Sequence, residues 1–485
     1  MEDNQLKTKT LNNMIWRFAE RCGAQGVAFV VSVVLARLLT PTEYGTVALI
    51  TVFTTIFQVF VDSGMGNALI QKKNADQLDF SSVFYFNIVM CLIAYAILFM
   101  IAPLIAVFYG DPSLTSMTRV VGLTIVIAGL KNIQQAYVSR HLMFRKFFFA
   151  TIGGTVVAGI VGVAMAYMGF GAWAIVAQQV INTSIDTIIL YITVKWRPTR
   201  EFSFERLKGL FRFGWKLLAS SLIDTVYNDL RQLIIGKIYT SEDLAYYNKG
   251  KQFPNLAVTN INSSISSVLL PVMSSEQEDR DRVRNMLHRS IKTSTYIMAP
   301  MMMGIAFVAE PLVRLLLTEK WLPCVLYIRI FCITYMFYPI HTANLSAINA
   351  MGRSDLNLKL EIEKKCVGLT AVLITMWISV EAMAYSMLVT SVMSQIINSW
   401  PNRKLLHYGY LQQLKDILPG IILAVFMGFS TLPVTWLGLP DIATLVLQVI
   451  IGVVVYIGGS VLFKLDSFYY VLDMVKPYIM RFFRK

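Results

Sequence analysis

Charged residues are scarce in this sequence. They make up 15% of its 485 residues, whereas 56% are hydrophobic, and the hydrophobic residues form long runs with few or no charges. A bilayer core of ~30 Å needs ~20 such residues per helix, so the composition excludes a soluble domain and predicts a polytopic membrane protein. Because the runs lack the two-residue alternation of barrel strands, we expect every span to be an α-helix.

Cysteine and histidine are also few, with five and four residues respectively. No Cys-x-x-Cys pair or Cys/His spacing occurs, so neither a disulfide nor a metal or other cofactor is predicted. The sequence has no phosphate-binding loop, Gly-x-Ser-x-Gly or His-Glu-x-x-His motif, which leaves ATP hydrolysis and hydrolase chemistry without support. It also lacks a basic, aromatic-rich soluble patch for nucleic acid. We therefore expect a protein that is not an enzyme.

The apolar runs predict about fourteen membrane-spanning helices. Their expected bounds are 15–38, 46–69, 81–108, 117–138, 148–168, 172–194, 214–238, 244–273, 290–317, 323–350, 359–379, 382–400, 416–437 and 442–463. Lysine and arginine concentrate on alternate connections, for example at 195–212 and 280–292, whereas the opposite connections carry Arg37, Lys237 and Lys320. By the positive-inside rule both termini are predicted to be cytoplasmic.

Two segments about two hundred residues apart share one pattern. Residues 35–45 and 237–245 align at a constant offset. The aligned pairs are Arg37–Lys237, Thr40–Thr240, Glu43–Asp243 and Gly45–Ala245. In the first segment Thr40 is expected to cap the next helix, with Pro41 in its first turn and Glu43 near its positive end. An internal repeat of apolar halves is typical of transporters.

The repeat and the charge pattern predict five segments. They are an N-terminal six-helix bundle (1–194), a cytoplasmic amphipathic linker (195–213), a C-terminal six-helix bundle (214–400), two additional spans (401–463) and a basic amphipathic cytoplasmic tail (464–485).

Ionisable residues inside spans are the best candidates for a site, because charge in hydrocarbon is costly and usually faces a cavity or a partner. Arg17 and Arg21 share a face of the first span and either line a cavity or pair with a carboxylate at the membrane interface. Asp224 and Arg231 lie on one face of the seventh span, with Asp229 beside them. The alternative for this group is a buried structural ion pair.

The eighth span carries a continuous polar ridge. Its members are Lys251, Asn255, Thr259, Asn262 and Ser266. The ridge packs against polar groups of the seventh span or lines a wet cavity, and we adopt the cavity. Other polar residues inside spans are Asp62, Lys131, Gln135, Gln179, Asn182 and Asp186. Cations that bind phosphate, together with amides that bind hydroxyls, suit an anionic, sugar-containing solute.

Several motifs resemble a known family. They are residues 35–45, 62–71 (Asp-Ser-Gly-Met-Gly-Asn-Ala-Leu-Ile-Gln), 213–214, 243–250 and 310–313. The sequence resembles the Wzx-type polysaccharide flippases, and among these the colanic-acid and teichuronic-acid exporter branch. This resemblance implies an all-α MATE-like fold of two six-helix bundles plus two helices. It also implies a bacterial inner-membrane exporter of undecaprenyl-pyrophosphate-linked repeat units, working beside the polysaccharide polymerase and export machinery.

The predicted roles combine the resemblance with the polar residues. Cations attract the pyrophosphate, amides bind the sugar, and carboxylates carry a coupling proton or sodium ion. The predicted pyrophosphate-binding cations are Arg17, Arg21, Arg231 and Lys251. The predicted sugar-binding amides are Asn255 and Asn262, and the predicted ion-coupling carboxylates are Asp62, Asp224 and Asp229. One alternative is a cation-coupled multidrug antiporter of the same fold, whose cavity should be acidic or aromatic. A second is a membrane glycan polymerase or glycosyltransferase, which needs outer acidic residues and a large outer loop.

Overall fold

The computed structural model describes residues 2–62, 65–72 and 74–483, and all regular elements in these ranges are helical. Contacts between residues divide the chain into two compact units, Met1–Ala245 and Tyr246–Lys485. The helices of the first unit are α1 (Glu2–Leu38), α2 (Pro41–Asp62), α3 (Met65–Gln71), α4 (Gln77–Tyr109), α5 (Ser113–Arg140), α6 (Phe144–Tyr167), α7 (Ala172–Thr193) and α8 (Phe204–Ile238).

α9 (Ser241–Ser275) begins at the end of the first unit and lies almost entirely in the second. The other α-helices of the second unit are α10 (Arg280–Phe307), α11 (Ala309–Leu317), α12 (Cys324–Met336), α13 (Tyr338–Ala350), α14 (Ser354–Thr375), α15 (Val380–Leu405), α16 (Tyr410–Thr431), α17 (Asp441–Leu462) and α18 (Asp466–Phe483). Short 3₁₀ helices follow α11, at Glu319–Trp321, and α16, at Leu432–Leu437.

Many of these helices are suited to a bilayer. Among the described residues, ten are long and apolar enough to cross it, if α12 and α13 are taken as one span, and the pair α10–α11, bent by 65°, makes eleven. The chain is therefore a multi-pass, all-helical membrane protein, as its composition predicts. The three other predicted spans fall in α1, α8 and α14, which contain more charged residues, so the number fourteen stays a prediction.

The cap predicted at Thr40 is confirmed. Glu43 Oε2 accepts a hydrogen bond from Thr40 N at 2.7 Å, and Thr40 Oγ1 accepts one from Glu43 N at 3.3 Å. This reciprocal pair satisfies N–H groups that the first turn of α2 would otherwise leave free. The second of the two aligned segments makes the same pair at the start of α9. Asp243 Oδ2 accepts a hydrogen bond from Thr240 N at 3.2 Å, and Thr240 Oγ1 accepts one from Asp243 N at 3.1 Å. The relation between whole bundles stays a prediction.

The two capped junctions touch each other, in a contact that we call the junction seam (Gly45, Leu49, Gly236 and Ser241). A methyl group on Gly45 would lie 1.7 Å from the carbonyl oxygen of Ser241, and one on Gly236 would lie 2.0 Å from Leu49 Cδ2. The two glycines therefore let the end of α8 and the start of α9 lie directly against α2. α8 lies in the first unit, where it packs against α2, α3 and α4.

The segment predicted as an amphipathic linker is divided between a loop and a helix. Residues 194–203 are not helical, and α8 then runs without a break from Phe204 into the predicted seventh span. Leu207 and Leu210 are buried in a core cluster with Trp196, whereas Phe204 and Phe211 stay exposed. Part of the apolar face of this amphipathic segment thus packs into protein. The linker's role as a boundary between two six-helix bundles stays a prediction.

An amide network holds together three helices of the second unit. Asn344 Nδ2 donates to Gln413 Oε1 at 2.8 Å, and Asn402 Nδ2 donates to Asn344 Oδ1 at 2.7 Å. All three side chains are fully buried and come from α13, α16 and α15. Buried amides with partners specify one helix arrangement, because any other leaves donors unpaired. We assign this network a structural role.

Candidate functional site

An ion pair lies inside the first unit between two membrane helices. Lys131 Nζ on α5 is 2.7 Å from Asp186 Oδ2 on α7, and the two side chains are only 16% and 12% exposed. Gly154 on α6 allows the close approach of α7, since a methyl group there would lie 3.0 Å from the backbone oxygen of Asn182. The second carboxylate oxygen, Asp186 Oδ1, is buried and has no hydrogen-bond partner in the described ranges.

Asp62 lies beside this ion pair along α5. It is the last residue of α2, and its Oδ1 accepts a hydrogen bond from Asn132 Nδ2 at 3.2 Å. Asn132, the residue after Lys131, also donates to the carbonyl of Val61 at 3.1 Å. The structure therefore joins α2, α5 and α7 through polar contacts. The sequence places Asp62, Lys131 and Asp186 inside spans but gives only Asp62 a role.

Arg231 is the most deeply placed of the predicted cations whose side chains are described. It lies on α8 and is 9% exposed, and its Nε and Nη2 atoms are buried without an acceptor among the described residues. The guanidinium is always charged, and its N–H groups form a fork that matches a phosphate or carboxylate. A buried arginine of this kind favours an anion that the protein itself does not provide.

The two carboxylates predicted on α8 are half-buried. Asp229 Oδ1 accepts a hydrogen bond from Gln232 Nε2 at 2.8 Å, within the same helix. Asp224 lies a little more than one turn before Asp229. This hydrogen bond lies within α8, and the described residues show no contact of Asp224 or Asp229 with Asp62.

The cations predicted on the first span cannot be placed at side-chain level. Arg17 and Arg21 lie on α1, but their side chains are outside the residues that the structure describes. Their neighbour Glu20 is described, and its Oε1 is 3.5 Å from Thr151 Oγ1 on α6. The roles of Arg17 and Arg21, and their pairing with a carboxylate, stay predictions.

The polar ridge lies on α9, almost wholly in the second unit, and its members differ in exposure. Asn255 and Thr259 are exposed, Lys251 is half-buried, and Asn262 is buried at 8% exposure. Both amide atoms of Asn262, Nδ2 and Oδ1, lack a hydrogen-bond partner in the part of the chain that the structure describes. Since an amide both donates and accepts, this side chain suits a hydroxyl-bearing ligand.

One buried cation was not assigned a role from the sequence. Lys249, in the first turns of α9, is 5% exposed; its Nζ is 3.2 Å from Gln252 Oε1 and 5.7 Å from the ring centroid of Trp321. It belongs to one of the motifs that carry the family resemblance. Its position before the apolar part of the span makes it look like an interfacial lysine, and only the packing of Trp321 shows the burial.

Metal ligation has no support in the described residues. They contain no group of three or more His, Cys, Asp or Glu side chains that could hold a metal ion. The five cysteines are free thiols, of which Cys22 and Cys366 are exposed.

Comparisons with known proteins agree with this picture. Residues 34–326 match the family described as "Polysaccharide biosynthesis protein". The chain is 26% identical to the succinoglycan biosynthesis transport protein ExoT of Rhizobium meliloti over 65% of its length and 64% of ExoT. It is 25% identical to the teichuronic acid biosynthesis protein TuaB of Bacillus subtilis, over 66% of this chain and 67% of TuaB. The lipopolysaccharide biosynthesis protein WzxC of Escherichia coli is 22% identical over 76% of this chain and 75% of its own.

Two solved structures share the fold. The lipid II flippase MurJ in an inward closed conformation superposes with a TM-score of 0.74, covering 93% of this chain and 99% of MurJ at 15% identity. A multidrug resistance MATE family transporter in an inward-facing conformation superposes with a TM-score of 0.63, covering 81% of this chain and 98% of the transporter at 13% identity. The MATE-like helical fold expected from the sequence is therefore present.

Proposed function

We propose that this chain, which belongs to the polysaccharide biosynthesis protein family, moves undecaprenyl-pyrophosphate-linked oligosaccharides from the cytoplasmic to the outer leaflet of the bacterial inner membrane. The proposal is supported by relatives named for succinoglycan biosynthesis transport and teichuronic acid biosynthesis, and by a fold shared with a lipid II flippase. The products would then pass to the polymerase and export machinery of the same polysaccharide.

The buried guanidinium of Arg231 is the observation that carries this proposal. Two of its nitrogens have no acceptor among the described residues, and they lie on a helix that contains a predicted span. A drug antiporter would bind a cation and gain nothing from such a residue, whereas a pyrophosphate offers several acceptor oxygens. In the proposed cycle Lys251, Arg17 and Arg21 add positive charge for the pyrophosphate.

The sugar and the lipid need different surroundings. Asn262 and Asn255 offer amide groups to the hydroxyls of the oligosaccharide, while the lipid tail remains in the bilayer between helices. Alternating exposure of this site to the two sides then moves the sugar across.

Coupling to a proton or sodium gradient is assigned to carboxylates inside the spans. Asp62, Asp224 and Asp229 are the predicted set, and we add Asp186. Its Oδ1 is buried without a hydrogen-bond partner among the described residues, and its Oδ2 pairs with Lys131. Binding of a proton or sodium ion at Asp186 weakens that pair and so favours a second arrangement of α5 and α7.

The test is translocation of a fluorescent undecaprenyl-pyrophosphate oligosaccharide in proteoliposomes, with and without proton and sodium gradients. Arg231→Gln should slow translocation about 100-fold, since hydrogen bonds to a charged group contribute ~1.5–3 kcal/mol each. Arg231→Lys should retain part of the rate. Lys216→Gln removes an exposed cation from the same helix and should have little effect.

Three results would count against the scheme. Unchanged translocation by Arg231→Gln would make the arginine structural. Full activity of the double variant Arg21→Ala/Lys251→Ala would remove those two residues from the pyrophosphate site. Gradient-driven efflux of a cationic dye without lipid translocation would place the protein among drug antiporters.

A further inference from the structure

Two neighbouring cavities of the second unit share a wall at the start of α10. The larger is an open groove of about 670 Å³ between α9, α10 and α18. Most of its lining is apolar, including Ile261, Ile265, Val268, Ile297 and Met474. We call it the tail groove. Open concave apolar surface between helices, as opposed to a flat helix face, suits a hydrocarbon chain.

The second cavity, of about 440 Å³, lies at one end of the groove and is polar. Its lining includes Asn285, His288, Lys292 and Asp466, and we call it the head chamber. Arg289, Thr293 and Tyr470 line both cavities. An apolar groove that opens directly into a polar chamber matches an amphiphile, with one part in each.

The charges of the head chamber select an anion. Lys292 Nζ is 2.9 Å from Asp466 Oδ2, and the resulting hydrogen bond holds the pKa of Asp466 below its usual range, so this aspartate stays ionised. His288 Nε2 is 3.2 Å from Asp416 Oδ2. No acidic side chain of the described ranges pairs with Arg289, which is exposed and lies 5.9 Å from the ring centroid of Tyr470.

The charge balance also limits the number of negative charges. With Lys292 neutralised by Asp466, Arg289 leaves one net positive charge in the lining. A phosphodiester carries a single negative charge, whereas a pyrophosphate carries more and would need further cations. Tyr470 adds an aromatic ring of the kind that settles at the level of lipid headgroups.

We propose that the tail groove and the head chamber together bind an anionic glycerophospholipid, with its phosphodiester at Arg289 and an acyl chain along α9 and α10. Basic pockets between membrane helices on the cytoplasmic side bind anionic headgroups, and the basic connection before α10 predicts that this end of the helix is cytoplasmic. The inference rests on these two cavities and does not depend on the proposed transport function.

The test is native mass spectrometry of the full chain purified in detergent, after addition of phosphatidylglycerol, phosphatidylcholine or undecaprenyl phosphate. Phosphatidylglycerol should be retained preferentially. Arg289→Gln should weaken its binding about tenfold, equivalent to ~1.4 kcal/mol. Thr293→Trp, which fills the passage between the two cavities, should abolish it. Arg282→Gln, on the same helix but outside both cavities, should leave it unchanged.

The outcomes separate the sources of the ligand. Equal retention of phosphatidylglycerol by Arg289→Gln and wild type would overturn the assignment of the headgroup, and so would equal retention of phosphatidylcholine. Displacement of phosphatidylglycerol by undecaprenyl phosphate at equal concentration would instead identify the ligand of the tail groove as a polyprenyl lipid and overturn the proposal. A melting curve of each variant in one detergent excludes unfolding as the cause, and Arg289, being exposed, should tolerate glutamine without loss of stability.

Discussion

At the scale of single residues, the described part of the first unit holds two cations of predicted spans in different situations. Lys131 has a carboxylate at 2.7 Å, while two guanidinium nitrogens of Arg231 have no acceptor among the described residues. A paired charge is compatible with a structural role, whereas an unpaired buried charge is costly unless a ligand or ion completes it. The two residues therefore call for different tests.

The Lys131–Asp186 pair allows structure and function to be separated. Lys131→Met should lower the free energy of unfolding by ~3 kcal/mol, because it leaves Asp186 buried and unpaired. The double variant Lys131→Met/Asp186→Leu should recover most of this loss, since apolar replacement of a buried pair is often neutral. Thermal melting in detergent measures both. The same double variant should lose gradient-dependent translocation if Asp186 carries the coupling ion.

An exposed ion pair is the control for this experiment. Arg353 and Asp355 are 2.8 Å apart and 46% and 62% exposed, so Arg353→Met should cost well under ~1 kcal/mol. If the double variant of the membrane pair melts like wild type and also retains gradient-dependent translocation, the pair is structural and Asp186 leaves the coupling scheme.

At the scale of elements, the junction seam depends on a position without a side chain. Gly45 lies in the first turns of α2, against the backbone of Ser241 at the start of α9. Gly45→Ala would force the two helix starts apart, and we expect a loss of ~1–3 kcal/mol in the free energy of unfolding. Gly26→Ala is the matched control, because a methyl group there meets no atom within 4 Å.

The control should change stability in the opposite direction. Alanine is favoured over glycine inside a helix by roughly 0.5–1 kcal/mol, so Gly26→Ala should raise the melting temperature slightly. Equal melting temperatures for Gly45→Ala and wild type would show that the two helix starts can move apart without loss of stability. The assignment of the junction seam as a fixed contact would then be wrong.

The same elements show how far the sequence can be interpreted. The caps at Thr40 and Thr240 follow from residue types three positions apart, and the contacts confirm the first as predicted. The family resemblance, carried by those motifs, is confirmed by the family match. The burial of Leu207 and Leu210 was not predictable, because an amphipathic stripe has the same spacing against protein as against lipid.

The ion pair could not be found in this way either. Lys131 and Asp186 are 55 residues apart, and a pattern of spacing along one helix contains no information about the helix that packs against it. The sequence also does not show how deep Arg17 and Arg21 lie within the first span, and their roles therefore remain predictions. Lys249 received no role from the sequence, because its burial depends on packing near Trp321 that spacing along α9 does not reveal.

At the scale of the whole molecule, the number of crossings depends on three charged helices. Ten or eleven described spans qualify by length and apolarity, and the predicted fourteen require α1, α8 and α14 as well. Two of these three, α1 and α8, carry predicted site residues. A span that faces a polar cavity contains charged residues, and these lower its mean hydropathy. Such helices are therefore expected not to qualify as spans by apolarity alone.

Labelling of single cysteines decides whether α8 and α14 cross the membrane. In a chain whose five cysteines are replaced by alanine, Glu319→Cys and Trp377→Cys should react with a membrane-impermeant maleimide in intact cells, whereas Lys208→Cys should react only after permeabilisation. Three crossings separate residue 208 from residue 319 if α8 spans, and two crossings separate 319 from 377 if α14 spans. Protection of Glu319→Cys would mean that α8 stays on one side, and Arg231 would then lie outside the bilayer. Opposite reactivity of Glu319→Cys and Trp377→Cys would exclude α14 alone, leaving the buried arginine where the proposed function needs it.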